Sequence, residues 1–353
     1  MSPERSAPIR ILVVDDSFFM RRVIRDTLAK HPELVVVGEA ADGRGAIEQA
    51  ARLRPDVIIL DYFLPNFTGA QTIGKILQQA RTNPPAIIML SAYTTEGAEE
   101  TFECLKAGAV DFIVKPSGEL SVSLEAVEEK LVQSIVAAAS SRVKLPEIAP
   151  VRPARSKPVA YPAPLNKIVV IGASTGGPVV LEKIFSALPA DLPAALIIVQ
   201  HMPEFFIARF VARLDKAAPL DLREARGGEL LRPGQVFFAP GNQNLELHIA
   251  SGTKISIALT PPSSEQVLLP SIDVTMASAA AAGKKVIGLI LTGMGEDGAA
   301  GMTAIKQAGG YTIIQDLESA VVDSMPRSVL QRRQVDEILP PEKIAPRLIQ
   351  LCF

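Results

Sequence analysis

The chain has 353 residues, 48% of them hydrophobic and 21% charged, and a formal net charge of -2. This length exceeds one ordinary compact core and predicts two domains. The balance excludes wholesale disorder and lacks the basic surplus of nucleic-acid binders.

The only cysteines, Cys104 and Cys352, lie far apart without metal-ligand spacing, which argues against a disulfide framework or a zinc site and fits a reducing cytosol. The first ten residues lack the apolar core of a signal peptide, and no run of 18 apolar residues occurs. The expectation is a cytoplasmic protein that inserts into no membrane and binds no nucleic acid.

In chain order, Arg10 to Val14 reads as a strand ending in Asp15-Asp16-Ser17, and Phe18 to Lys30 as a helix. A strand from Leu34 to Gly38 leads into a helix from Gly45 to Leu53. The strand Asp56 to Leu60 runs into Asp61, Pro85 to Leu90 into Ser91, and Ala109 to Val114 into Lys115-Pro116, with a helix through Leu105 between the last two. Strands alternating with helices predict a five-stranded parallel sheet with right-handed crossovers.

In such a sheet the ends of the strands share one edge, so Asp15, Asp16, Asp61, Ser91 and Lys115 converge. Acids packed together repel unless a cation joins them, and an all-oxygen cluster with open positions suits Mg²⁺. Beside it Asp61 is a carboxylate nucleophile for phosphorus, Ser91 a donor to a phosphoryl oxygen and Lys115 a neutralising charge. Any one of these residues alone reads equally well as a solvated loop residue.

The motifs Val13-Val14-Asp15-Asp16-Ser17, Ile59-Leu60-Asp61, Met89-Leu90-Ser91-Ala92 and Asp111-Phe112-Ile113-Val114-Lys115-Pro116 resemble the receiver domain of bacterial response regulators, over roughly Pro8 to Ser140. The resemblance implies a flavodoxin-like fold and phosphorylation by a histidine kinase. It makes Asp61 the phosphoacceptor, Asp15 and Asp16 the Mg²⁺ acids with it, and Ser91, Phe112 and Lys115 the switch residues. The chain departs from the family after Asp61, where Leu64-Pro65 and Thr68-Gly69 stand for the usual Met-Pro and Asp-Gly; the bulky Tyr62 and Phe63 beside the acceptor bear on the lifetime of the phosphoryl group.

Leu120 to Arg142 reads as a last helix. From Arg142 to Pro164 there are six prolines, five basic residues and one acid, which predicts an extended, semi-rigid spacer. The predicted domains are therefore 1–141 and 165–353, with a linker at 142–164.

Beyond the spacer, the apolar run Ile168 to Ile171 breaks into Gly172-Ala173-Ser174-Thr175-Gly176-Gly177, and a helix follows from Pro178 to Leu188. Ala194 to Val199 is a strand ending at Gln200-His201-Met202-Pro203. Gln235 to Ile257 alternates apolar and polar residues, which predicts an antiparallel hairpin or meander. Val286 to Leu291 runs into Thr292-Gly293-Met294-Gly295-Glu296-Asp297-Gly298, and Tyr311 to Gln315 is the final strand.

The edge argument brings Ser174, His201 and the loop of Asp297 side by side. A serine hydroxyl becomes a nucleophile when a base takes its proton, histidine is suited to that task, and a carboxylate on the other ring nitrogen fixes the tautomer. Of the three histidines, His31 belongs to the first domain and His248 to the wet face of an alternating strand, which leaves His201. The glycines around Ser174 and Met294 give substrate room, and the amides near Thr175 and Met294 are candidate oxyanion donors. Ser174 alone reads equally well as a helix cap. A G-x-x-x-G-G spacing argues against dinucleotide binding, and the chain order Ser174, His201, Asp297 argues against a lipase-like hydrolase, whose order is serine, acid, histidine.

The stretches around Ser174 and His201, with Pro270-Ser271-Ile272-Asp273-Val274 and Gly293 to Gly298, resemble the catalytic domain of the chemotaxis protein-glutamate methylesterases, the CheB family, over Leu165 to Phe353. The resemblance implies a mostly parallel α/β catalytic domain with a β-hairpin, and a Ser174, His201, Asp297 triad that needs no cofactor. The implied substrate is a glutamyl methyl ester on a methyl-accepting chemoreceptor, with glutamine deamidation as a second activity. Phosphorylation of Asp61 would relieve occlusion of the active site. The competing expectation is a phospho-regulated binding scaffold whose second domain is not catalytic.

Overall fold

The computed structural model describes residues 7–80, 82–91, 94–115, 124–141, 164–250, 254–263 and 268–353. The chain divides into two compact units, Met1–Ile148 and Ala149–Phe353. Residues 142–163 of the predicted linker, with Ala92 and Pro116 of the first-domain motifs, lie outside the described residues.

The first unit runs β1 (Ile9–Val14), α1 (Phe18–Leu28), β2 (Leu34–Ala40), α2 (Gly43–Leu53), β3 (Val57–Asp61), α3 (Gly69–Gln79), β4 (Ala86–Ser91), α4 (Thr95–Ala107), β5 (Asp111–Val114) and α5 (Leu124–Ala139). Its five strands lie in the order β2-β1-β3-β4-β5, every pair parallel. β3 and β4 are buried along their whole length, so they read as unbroken apolar runs rather than alternating ones. Ser17, Asp42 and Thr68 cap α1, α2 and α3 with their side chains, fixing where each helix starts after its strand. The strand order reverses between β1 and β3, and the crevice at such a reversal is where open α/β sheets bind ligands.

The second unit begins with β6 (Lys167–Ala173), α6 (Gly177–Ala187), β7 (Ala194–Gln200), α7 (Glu204–Ala217), β8 (Asp221–Glu224), β9 (Gln235–Phe238), β10 (Asn244–Ile249) and β11 (Ile255–Thr260). It continues with α8 (Ile272–Ala280), β12 (Val286–Ile290), α9 (Ala299–Gln307), β13 (Tyr311–Gln315), α10 (Ser324–Gln331), β14 (Glu337–Leu339) and α11 (Pro341–Cys352). Seven strands form one parallel sheet in the order β14-β13-β12-β6-β7-β9-β8. From β6 the chain moves to β7 on one side, and β12 joins on the other, so the reversal falls between β6 and β12.

The region from Gln235 to Ile257 is a correction. Among the named strands only β10 and β11 pair antiparallel, from Asn244 opposite Thr260 to Ile249 opposite Ile255. β9 instead joins the main sheet, parallel to both β7 and β8. Its residues Val236, Phe237 and Phe238 are all buried, which is the pattern of a strand covered on both faces.

Two close approaches bring α8 to the carboxyl edge of this sheet. A Cβ at Gly172 on β6 would lie 2.5 Å from Ile272 Cγ2 and 2.8 Å from Ile290 Cδ1, so the glycine lets the start of α8 press against the strand. A Cβ at Gly301 on α9 would lie 2.4 Å from Met276 Cβ, so α8 and α9 pack closely as well. Among the described residues no helix is long and apolar enough to cross a membrane.

Candidate active site and acidic pocket

The carboxyl ends of β6, β7 and β12 are neighbours, and the backbone carries their alignment one step past the strands. Ala173 stands opposite Gln200 at the end of the β6–β7 register, His201 N donates to Ala173 O at 3.0 Å, and Ser174 N donates to Thr292 O at 3.1 Å. Ser174, His201 and the loop beginning at Thr292 thus leave adjacent strands at the same level. The turn after Ser174 closes with Gly177 N on Ser174 O at 2.8 Å, and Gly176 takes φ of +78°, a conformation that favours glycine. Its Cβ would also lie 2.8 Å from Val321.

His201 Nε2 lies 2.9 Å from Asp297 Oδ2, and the two side chains are only 9% and 10% exposed. With the proton on Nε2, Nδ1 is left as the acceptor that faces away from the acid. Ser174 is nearly buried, and among the described residues its hydroxyl makes no hydrogen bond, to His201 or to any other group. The imidazole and the acid are paired; the serine is brought beside them by its strand without that last bond. Such bonds are often loose until substrate is present.

Asp297 is built into the start of a helix. Its Oδ2 accepts from Ile272 N at 2.8 Å, and its Oδ1 from Asp273 N at 2.9 Å and from Ser271 Oγ at 3.2 Å. Ser271 is the N-cap of α8, so the carboxylate meets the amides that helix geometry leaves unpaired, at the positive end of the helix dipole. Burial works to raise the pKa of Asp297, but the bonds from His201, Ile272 and Asp273 outweigh it and hold the carboxyl below the ordinary aspartate range. Asp273 shows the opposite balance: burial dominates and raises its pKa, while it accepts from Gly301 N at 2.6 Å.

Three further side chains tie the loops together. Gln200, buried at the end of β7, donates from Nε2 to Ser174 O at 3.0 Å and to His201 O at 3.2 Å. The buried Thr292 hydroxyl lies 3.0 Å from Thr175 O and accepts from Val322 N at 3.0 Å. Ser324 Oγ meets Gly293 O and Gly295 N. Sequence reasoning met Gln200, Thr292 and Ser271 only as members of motifs and gave no role to them or to Ser324. A Ser followed by the helical spacing of Ile272, Met276 and Ala279 is the cap signal that would have pointed to Ser271. Thr175 is buried and Met294 half-buried, each in a loop past the end of its strand; the Met294 N–H has no hydrogen-bond partner among the described residues. His248 is exposed on β10.

In the first unit Asp15 and Asp61 are buried and Asp16 is exposed. Each offers a carboxylate oxygen, and these atoms lie within 4.8 Å of one another. Three hard oxygen donors at one mouth fit a divalent cation such as Mg²⁺. Lys115 Nζ bridges Asp15 Oδ2 at 2.8 Å and Asp61 Oδ2 at 2.9 Å. Burial, with the charge of Asp15, pushes the Asp61 pKa up against the lowering effect of Lys115 and Tyr62 N–H. Burial would lower the Lys115 pKa, yet its two carboxylate partners hold it above the ordinary lysine value.

Ser91 is buried at the end of β4, where its hydroxyl donates to Gly97 O at 3.2 Å and accepts from Thr101 at 2.7 Å. These bonds engage it with α4. Phe112 is half-buried on β5. The unusual loop after Asp61 keeps its form because Thr68 makes a capping box with Gln71, and because a Cβ at Gly69 would lie 3.0 Å from Tyr62 Cα.

Comparison with known proteins agrees in both units. The family model described as "CheB methylesterase" matches residues 169–348, and that described as "Response regulator receiver domain" matches residues 11–126. A protein-glutamate methylesterase/protein-glutamine glutaminase 2 of Carboxydothermus hydrogenoformans is 41% identical across 97% of this chain and 99% of its own length. A protein-glutamate methylesterase/protein-glutamine glutaminase of Thermotoga maritima is 41% identical across 97% and 98%. The crystal structure of the Thermotoga maritima CheB methylesterase catalytic domain superposes with a TM-score of 0.51, at 42% identity, over 53% of this chain and 98% of that domain. With a parallel sheet presenting Ser174 beside a His201–Asp297 pair, and full-length relatives of the same make-up, the chain belongs to the CheB methylesterase family and carries a response regulator receiver domain ahead of its catalytic domain.

Proposed function

We propose that this chain is a phosphorylation-activated serine esterase of the cytoplasm, which hydrolyses glutamyl methyl esters on the cytoplasmic part of a chemoreceptor and deamidates glutamines there. The observation that carries the reading is the His201–Asp297 pair, 2.9 Å apart, at the strand ends flanking Ser174. In this reading the receiver spans 1–141, the spacer 142–164 and the catalytic domain 165–353.

The chemistry follows from the groups. Asp297, kept ionised by the start of α8, holds the proton on His201 Nε2 and leaves Nδ1 to take the proton of Ser174 Oγ as that oxygen attacks the ester carbonyl. The amides of Thr175 and Met294 receive the developing oxyanion. His201 then returns the proton to the departing methoxide, giving methanol and an acyl-Ser174. Water, deprotonated by His201, attacks the acyl group, and the proton returns to Ser174 as glutamate leaves. A glutamine substrate takes the same route with ammonia as the leaving group.

In the receiver, Asp61 is the phosphoacceptor, served by a histidine kinase. Asp15, Asp16 and Asp61 would hold Mg²⁺, which shields phosphoryl oxygens from the carboxylates when bound. Lys115 neutralises charge at the acceptor. Ser91 and Phe112 report the modification, Ser91 by exchanging its bonds to α4 for one to the phosphoryl group.

The test is methanol release from a methyl-labelled receptor fragment, with and without a small phosphodonor. Release by the parent chain and loss of at least ~10³-fold in Ser174→Ala are expected. A folded parent chain that releases no methanol under either condition would instead be the binding scaffold, and Ser174→Ala working at the parental rate would remove the serine from the reaction.

A further inference from the structure

The Met294 N–H takes its direction from a residue remote in sequence. Ser324 Oγ donates to Gly293 O at 3.0 Å and accepts from Gly295 N at 3.0 Å, so one hydroxyl holds the two peptide units that flank Met294. Gly293 O takes a second bond from Met325 N at 3.1 Å, and Gly293 N donates to Val322 O at 2.9 Å. In a planar trans peptide the C=O and the following N–H point in opposite directions. A Gly293 carbonyl fixed toward Ser324 and Met325 therefore turns the Met294 N–H away from them.

This peptide runs against Ser174. A Cβ at Gly293 would lie 2.7 Å from Ser174 Cβ and 2.1 Å from Met325 Sδ, so the loop passes between the candidate nucleophile and α10 with no room for a side chain. Two bonds on the Gly293 carbonyl also polarise the peptide and strengthen its N–H as a donor. The simpler role for a serine at a helix start is to cap it. Ser324 is not the cap of α10, however, because Asp323 holds that position, and the hydroxyl spends its bonds on the loop instead.

We infer that Ser324 is a positioning residue of the esterase, whose hydroxyl aims the Met294 N–H at the oxyanion. The inference rests on reading Ser174 as the nucleophile and the Met294 amide as an oxyanion donor. Since Met325 N still holds the Gly293 carbonyl when the hydroxyl is removed, the loss is smaller than deletion of a donor, which is worth ~10²–10³ in kcat.

The experiment measures methanol release by the full chain, activated with a small phosphodonor, on methylated receptor fragment for Ser324→Ala, Ser324→Thr and Ser174→Ala. Ser324→Ala is expected to lower kcat about tenfold with KM within about twofold, the mark of an interaction made in the transition state. Ser324→Thr, which keeps a hydroxyl, is expected to recover most of that loss. An unchanged kcat in Ser324→Ala, a change confined to KM, or equal losses in the alanine and threonine variants would each overturn the role. Ser174→Ala separates the two layers: if it alone is inactive and Ser324→Ala is normal, the triad reading stands and only the positioning role falls.

Discussion

Asp297 is an acid whose two oxygens are both committed, and that decides how it responds to change. Oδ2 meets His201 Nε2 and Ile272 N; Oδ1 meets Asp273 N and Ser271 Oγ. In Asp297→Asn, either orientation of the amide sets its NH₂ against a backbone N–H, so the variant loses the charge that pairs with the imidazolium and one of the two backbone N–H bonds at the helix start. We expect kcat to fall by about 10³–10⁴-fold and stability by roughly 1–3 kcal/mol at neutral pH, read from turnover and from urea unfolding. The pH dependence has a definite sign. A carboxyl whose folded pKa lies below its reference of 3.8 stabilises the fold above that reference, and the contribution is lost as pH falls through the folded value. The stability gap between parent and variant is therefore expected to be full at neutral pH and to shrink below about pH 4; a gap that widens on acidification would contradict the assigned ionisation. The three candidate triad residues were legible because each follows an apolar strand. Ser271, Gln200, Thr292 and Ser324 were not, because they act on backbone groups of other loops, such as Ser324 on Gly293 across 31 positions, and no spacing rule encodes such contacts.

At the scale of elements, α8 is what makes Asp297 an effective partner, and glycine lets it approach. Gly172→Ala would put a Cβ 2.5 Å from Ile272 Cγ2, beside the amide that Asp297 accepts. Overpacking of this kind costs about 1–3 kcal/mol, and the start of α8 must shift to relieve it. The expected outcome is a lower unfolding midpoint together with a kcat loss larger than the stability loss explains at a temperature where the variant stays folded. Normal turnover in a destabilised variant would show that the strand contact serves packing alone. Most strands were readable as buried apolar runs, including β3, β4, β6, β7 and β12. β8 and β14 were not, being short edge strands in which only Leu222 is buried. β9 was misassigned because Gln235–Phe238 is too brief for periodicity to separate a buried parallel strand from part of the neighbouring hairpin. The parallel β7–β9 pairing comes from tertiary context.

For the whole molecule, the described residues of each candidate centre come from one stretch of chain: the acidic pocket from residues 15–115 and the candidate esterase site from residues 174–324. With the groups so divided, control of the one by the other is described as a balance between active and restrained states of the chain. A tenfold activation asks the phosphoryl group on Asp61 for only about 1.4 kcal/mol of preference for the active state. On the proposed reading, new charge at Asp61 together with exchange of the Ser91 bonds to Gly97 and Thr101 would supply that. If the receiver restrains by occlusion, the fragment Leu165–Phe353 should hydrolyse methyl ester without phosphodonor at about the rate of the activated full chain, and Asp61→Asn in the full chain should lose stimulation by a small phosphodonor. Methanol release measured on all three, with circular dichroism to confirm folding, decides between mechanisms. A folded fragment that is inert while the phosphorylated full chain is active would mean that the receiver contributes to the active state, and that phosphorylation builds a competent site where occlusion would merely uncover one.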